Sequence, residues 1–274
     1  TQRSQRKQAW FLSSVSSVLS VANVFPGAAS IFDMIVLFTD FGLADPYVGQ
    51  LHGALAREAP GVPVIDLFHS VPNYDIRAAA YLLPAFVPEF PPESVFVCVV
   101  DPGVGSARRP VMLRAAERWF VGPDNGLFHI LAHRATTHEC RHILWRPQRL
   151  STSFHGRDLF APVAARLARG EMPESEPATL TRPENDAWPD DLAEVIYIDH
   201  FGNAITGLRA KRLKSGQMLR VHHHSLKAAR TFGEAGVGEP FWYENSNGLV
   251  EIAINRGHAA QQLGLKLGDR LTLL

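Results

Sequence analysis

From residue 34 onward the chain switches repeatedly between continuous apolar runs of strand length and apolar positions at helical spacing. MIVLF (34–38), VPVIDLF (62–68) and SVFVCVV (94–100) read as buried strands, and PVMLRA (110–115) and RWFVG (118–122) extend the series. Between the first two runs, Asp45 and Pro46 predict a helix with an aspartate N-cap and proline at the first helical position, followed by an apolar stripe of Val48, Leu51 and Leu55. A second helix is expected from Asp75, with Ile76, Ala79, Leu83 and Phe86 on one face and Pro84 kinking or ending it. Helical spacing returns over 126–133 and 158–169. Strands alternating with helices predict an α/β domain over 34–170, a mostly parallel sheet with helices on both faces.

The pattern changes at 171–191, where proline and acidic residues replace apolar periodicity, and this stretch reads as a linker. Beyond it, over 192–274, short β-like runs (EVIYID, MLRVHHH, LVEIAI, RLTLL) are separated by Gly, Asn and Asp. They predict a smaller C-terminal all-β, barrel-like domain. Residues 1–33 differ from both parts. A basic start, TQRSQRK, precedes a stretch from Gln8 to Phe32 that carries no charge but is rich in serine. It reads as a secretion-like leader or a non-native extension, and as a poor bilayer span. The expected location is cytoplasmic, with export left open by this leader.

Composition narrows the class. Lys+Arg and Asp+Glu both number 27, so the net charge of zero argues against a nucleic-acid partner. Two cysteines, Cys98 and Cys140, cannot build a disulfide framework, and neither lies in a C-x-x-C pair. Cys98, inside SVFVCVV, reads as a small buried hydrophobe.

In a parallel sheet, ligands gather at the carboxyl ends of the strands. Three polar loops fall there: TDFGLADPYVG (39–49), DPGVGSARR (101–109) and STSFHGRD (151–158). The glycines of DPGVGS do not complete a phosphate-binding motif. HECRH (138–142) satisfies the H-E-x-x-H zinc pattern in letters, but its β-branched and aromatic flanks favour a strand. There the two histidines would stand about 13 Å apart, too far for one zinc. His222–His224 reads as a solvated strand or turn, and Asp124 and Asn125 in PDNGL as turn builders.

TDFGLADPYVGQ, DPGVGSARR, PDNGL, STSFHGRDLF, IDHFGN and NSNGLVEIAIN occur in this order and spacing. Together they resemble the S-adenosyl-L-methionine (SAM) hydroxide adenosyltransferase family, relatives of the SAM-dependent chlorinases and fluorinases, over residues 34–274. The resemblance implies an α/β domain joined to a β-barrel domain, a homotrimer with sites between subunits, and metal-independent cleavage of SAM by water or hydroxide at the ribose C5′. Adenosine and L-methionine would be the products. SAM is then the substrate, and no cofactor, nucleic acid or membrane is implied.

The family's Asp–Arg–His set falls on Asp101, Arg108 and His155. A sulfonium departs as a neutral thioether, so what the site must supply is an oriented, hydroxide-like water. Arg108 would lend positive charge, Asp101 would orient Arg108, and His155 would position the water or accept its proton. Asp40 matches the carboxylate that accepts both ribose hydroxyls. Asp199 and Ser246 match positions holding the methionine ammonium and carboxylate. Phe201 would stack on adenine, Asn203 would read its edge, and Tyr74 would form a wall. Asp45 has two readings, helix cap or site residue. The halogenating relatives replace the Asp–Arg–His set, so its retention disfavours halide as nucleophile. The competing readings are a chlorinase-like enzyme on the same scaffold and a non-catalytic SAM or adenosine sensor.

Overall fold

The computed structural model describes residues 34–181 and 188–274. The leader reading of residues 1–33 lies outside them. In chain order the first part contains β1 (Ile35–Thr39), α1 (Tyr47–Glu58), β2 (Val64–Phe68), α2 (Ile76–Phe86), β3 (Val95–Val99), β4 (Pro110–Ala115), β5 (Arg118–Pro123), α3 (His129–Arg134), β6 (His138–Ile143), α4 (Ala161–Ala168) and β7 (Ser175–Ala178). The strands form one sheet in the order β2-β1-β3-β5-β4-β6-β7. The β2-β1-β3-β5 half is parallel, as expected. The β4-β6-β7 half is antiparallel, which makes the sheet mixed. The reversal lies at the hairpin between β4 and β5, whose two turn residues, Ala116 and Glu117, both have positive φ. That is the two-residue turn matching strand twist, built here without the usual Asn-Gly.

Alternate residues of the strands feed two cores. Val36, Phe38, Phe96 and Phe120 pack towards α2 and α3. Ile35, Leu37, Val95 and Val97 pack against α1 and α4 on the other face. Asp75 caps α2 by accepting from the Ala78 amide at 2.8 Å, and the helix ends two residues after Pro84. Asp45 does not cap α1. Pro46 already has helical dihedrals and occupies the cap position, so the aspartate lies one residue too early. The third helix starts at His129, because Asn125 and Gly126 spend the preceding residues on a turn, the Asn125 side chain bonding Val100 O and Leu127 N. Asp124 does more than build that turn: it is buried and paired with Arg109. The expected linker contains strand β7, which pairs with β6 despite its Ser-Glu-Pro-Ala sequence, since an edge strand tolerates proline. HECRH is the strand β6.

The second part contains β8 (Leu192–Ile198), β9 (Ala204–Arg209), β10 (Leu219–Val221), β11 (His224–Ala228), β12 (Pro240–Glu244), β13 (Leu249–Ile254), α5 (Ala259–Leu263) and β14 (Leu271–Leu273). Its sheet runs β14-β10-β11-β12-β13-β9-β8. A bridge between Glu194 and Arg270 brings the two edge strands together, giving a nearly closed barrel. His222 sits in the β10–β11 turn with positive φ, paired with Asp269 at 3.1 Å. The two parts share a core. Leu192 and Ile196 of β8 join the α2 side of the first domain, and the Tyr197 ring meets Phe68 edge-on at 4.9 Å.

Candidate functional site

The carboxyl ends of β1 and β3 open into a cavity of about 390 Å³. Asp40 follows β1, Asp101 follows β3, and both line the cavity together with Asp45, Tyr74 and His155. Phe41, Tyr47 and Phe154 line it too, in mutual contact with ring centroids 5.5 to 5.9 Å apart. Asp40 is fixed by a hydrogen bond from the Tyr74 amide at 3.1 Å, and Tyr74 reaches it with a left-handed backbone, φ 64°. Burial raises the Asp40 carboxyl above its ordinary value of 3.8, only partly offset by the Tyr74 amide.

Asp101, Arg108 and His155 come together as one bonded group. Arg108 grips Asp101 with a fork, Nε to Oδ1 at 3.0 Å and Nη2 to Oδ2. The same Nη2 approaches His155 Nδ1 at 2.9 Å. The pair is deeply buried, with side chains 9% and 4% exposed, and the guanidinium lies over the Phe160 ring. Two loops make this meeting possible. Gly105, at φ +80°, lets the 101–108 loop run against the 151–155 loop so closely that a Cβ there would stand 2.6 Å from Thr152 O. His155 begins a π-helical turn, Gly156–Phe160, that leads into α4.

This geometry fixes the chemistry of the histidine. A guanidinium only donates, so Nδ1 must accept and the neutral ring carries its proton on Nε2. Burial, reinforced by the Arg108 charge, lowers the His155 pKa below 6.5. Arg108 itself does not line the cavity. It bonds two residues that do, Asp101 and His155. The cavity is thus lined by a histidine that carries its proton on Nε2 and by the buried carboxylate of Asp101.

Asp199, Phe201, Asn203 and Ser246 line a second cavity of about 640 Å³ on the barrel. The two cavities have no lining residue in common. Asp199 shapes the turn after β8. Its Oδ1 accepts from the Phe201 and Asn203 amides at 3.0 and 2.8 Å, and its Oδ2 from Asn203 Nδ2 at 3.2 Å. Gly202, at φ +83°, closes this turn over the His258 ring, where a Cβ would overlap it. Phe201 is left 72% exposed. Sequence reasoning missed Glu251, a buried carboxylate of this cavity that accepts from Tyr243 OH at 2.5 Å and Asn245 Nδ2 at 3.0 Å. One acid within the otherwise apolar run LVEIAI was the signal. Burial and that hydrogen bond push the Tyr243 hydroxyl's pKa well up. Among the described residues, no group of three or more His, Cys, Asp or Glu is placed to hold a metal ion, and no helix is long and apolar enough to cross a membrane.

Sequence models of the SAM hydroxide adenosyltransferase N-terminal and C-terminal domains match residues 35–176 and 193–272. The chain belongs to the SAM hydroxide adenosyltransferase family. Among its relatives, an (R)-S-adenosyl-L-methionine hydrolase of Salinispora arenicola is 44% identical over 252 residues, 85% of this chain and 94% of that protein. A crystal structure of a Thermus thermophilus protein aligns with a TM-score of 0.72 at 40% identity, covering 89% of this chain and all of that one. A fluorinase of Actinopolyspora mzabensis is more distant, 27% identical over 283 residues, 86% of this chain and 95% of that protein. The family's two domain models divide the chain where its two sheets do.

Proposed function

We propose that the protein hydrolyses SAM to adenosine and L-methionine. Water oxygen bonds to the ribose C5′, the C5′–S bond breaks, and its electron pair stays on sulfur as methionine's neutral thioether. The water proton is released. Because no proton goes to the leaving group, the site needs no general acid. The observation that carries this reading is the buried Asp101–Arg108–His155 group beside Asp40 in a family whose relatives include SAM hydrolases.

In this reading His155 donates from Nε2 to the water and stabilises it as it becomes hydroxide, while Arg108 holds the tautomer and Asp101 holds Arg108. Nδ1, being occupied, is a poor proton acceptor. Asp40 accepts the two ribose hydroxyls and Tyr74 walls the sugar. Asp199 and Ser246 hold the methionine end, Phe201 stacks on adenine and Asn203 reads its edge. These groups divide between two cavities, which supports a homotrimer whose sites form where one subunit's first cavity meets its neighbour's barrel. Exposure of Leu43, Tyr74 and Phe201, each above 70%, supports the same reading. The buried free thiols of Cys98 and Cys140 suit a reducing cytoplasm.

Incubation with SAM, with and without chloride, tests the reading. Adenosine is expected in both. A 5′-chloro nucleoside as the main product would assign halide chemistry, and tight binding without turnover would assign a sensor. Sedimentation of the active protein should give a trimer, and an active monomer would refute the shared site.

A further inference from the structure

Behind the first cavity lies a second histidine, which the scheme above does not use. His69 follows β2, its side chain is 2% exposed, and its two ring nitrogens are both engaged. Nε2 stands 3.0 Å from Asp66 Oδ1, and Nδ1 stands 2.7 Å from Thr39 Oγ1. Asp66 also receives His52 Nε2 at 2.8 Å from the surface of α1. Burial works to raise the Asp66 carboxyl, but the hydrogen bonds from His69 and His52 outweigh it and hold the group below its ordinary value.

The ionised carboxylate can only accept, so His69 carries its proton on Nε2 and Nδ1 accepts from the Thr39 hydroxyl. Hydroxyl, imidazole and carboxylate thus stand in the order of a nucleophilic triad. Thr39 is, however, fully buried, so its oxygen cannot meet a substrate. That oxygen instead accepts from the Phe41 amide at 3.2 Å, and the His69 carbonyl accepts from the Gly42 amide at 2.7 Å. Asp40 lies between these anchors, at the residue where β1 ends and the cavity begins.

We propose that Thr39, His69 and Asp66 form a positioning triad, buried at Thr39 and His69 and reaching the surface at Asp66, that sets the exit of β1 and so aims Asp40 and Phe41 into the cavity. The proposal rests on the reading of this cavity as the nucleoside site, and it adds three positioning residues, Thr39 of β1, Asp66 of β2 and His69 just after β2. The polarised chain keeps the 40–42 turn in one arrangement before substrate arrives, which lowers the ordering cost of binding.

The test compares Thr39→Val, which keeps shape and loses the hydroxyl, with Thr39→Ser, which keeps the hydroxyl. His69→Leu is paired with His69→Gln, whose amide offers a donor and an acceptor at once. Turnover of SAM by the unaltered protein reports on the parent reading, and its absence would remove that reading by itself. Given turnover, Thr39→Val and His69→Leu should raise KM for SAM on the order of 10-fold, as expected for losing one buried hydrogen bond, with a smaller change in kcat. Thr39→Ser and His69→Gln should restore KM to within about 3-fold of the parent, the spread of such contributions. If Thr39→Val does not fold, the two His69 variants decide. An unchanged KM in Thr39→Val or in His69→Leu, or a loss confined to kcat, would overturn the proposal. So would failure of both conservative variants to rescue.

Discussion

The two cavities use carboxylates in opposite ways. In the first, the Asp101 carboxylate is spent on one guanidinium, and the product is electrostatic: a buried cation that fixes a neutral histidine beside a second carboxylate, Asp40. In the second, the Asp199 carboxylate is spent on backbone amides, and the product is shape: a tight turn that leaves Phe201 projecting and Asn203 buried. In the proposed scheme the first region biases a charge that develops during reaction, and the second recognises a flat, polar-edged group. Substitutions in the first should therefore act on turnover and those in the second on affinity, although the same residue types appear in both.

Arg108→Ala is the largest test of that contrast. It releases Nδ1 of His155 and leaves Asp101 buried without its partner, so kcat should fall on the order of 100-fold or more while SAM binding by calorimetry changes little. Arg108→Lys should recover only a small part, because an ammonium cannot bond Asp101 in a fork and reach His155 together. A lysine variant close to the parent would mean that charge alone matters, and the tautomer argument would fall.

Asp40→Ala comes next. It removes a doubly accepting carboxylate present in ground and transition states alike, so KM should rise about 10- to 100-fold, as for charged hydrogen bonds, with a lesser fall in kcat from lost positioning. This residue lines the same cavity as His155 yet should behave like a binding residue. A kcat loss as large as that of Arg108→Ala with KM unchanged would move Asp40 into the water-handling group.

How much of this was legible in sequence follows from how local each determinant is. The strands β1 and β3 announced themselves as buried apolar runs, whereas β2, read the same way, is an edge strand that leaves Ile65 and Asp66 exposed. The polar loops after β1 and β3 and before α4 located the site because ligands gather at strand ends. The hairpin of β4 and β5 was visible only as spacing, since Ala116 and Glu117 carry a turn that sequence normally marks with Asn or Gly. Strand β7 was hidden by its composition, because pairing with β6 and not its own propensity makes it a strand. In the barrel, the runs over β9 and β12 contain Gly, Arg and Pro and gain their definition from cross-strand partners. Of the site, the residues were legible and their bonds were not. Nothing in DPGVGSARR says that Arg108 would lie behind His155 and outside the cavity; that depends on Gly105 meeting Thr152 across two loops. Glu251 was legible but unread, and Asp45 had an equally plausible local use as a cap.

On the recognition side, Phe201→Ala should raise KM for SAM on the order of 10-fold, the scale of losing one aromatic–base stack, and leave kcat within about 2-fold. Phe201→Tyr should keep the stack. A kcat loss comparable with that of Arg108→Ala would erase the division between the two regions, since an aromatic 72% exposed at a turn has no other route to the reacting atoms.

The smallest effect is the one that separates the two carboxylate uses without disturbing either fold. Among the acid-sensitive groups lining the first cavity, burial displaces Asp40 and His155, and the proposed roles of both require the deprotonated form. Protonating His155 places a hydrogen on Nδ1, where Arg108 Nη2 already donates, so the bond must break. Protonating Asp40 removes acceptor capacity for the ribose. Burial moves the two in opposite directions, His155 downward from 6.5 and Asp40 upward from 3.8, so the acid limb of kcat/KM should begin below the ordinary histidine value. Near neutral pH the profile should be flat, with both groups in their active forms. Asp40→Asn abolishes one titration and leaves the other, so the limb that survives belongs to His155. In His155→Gln, which retains an N–H donor, the remaining activity should exceed that of His155→Ala and should follow Asp40 alone as pH falls. An acid limb centred at or above 6.5 in the unaltered protein, lost in both His155 variants, would instead make the imidazole a proton acceptor. It would then have to titrate despite its burial and the neighbouring Arg108.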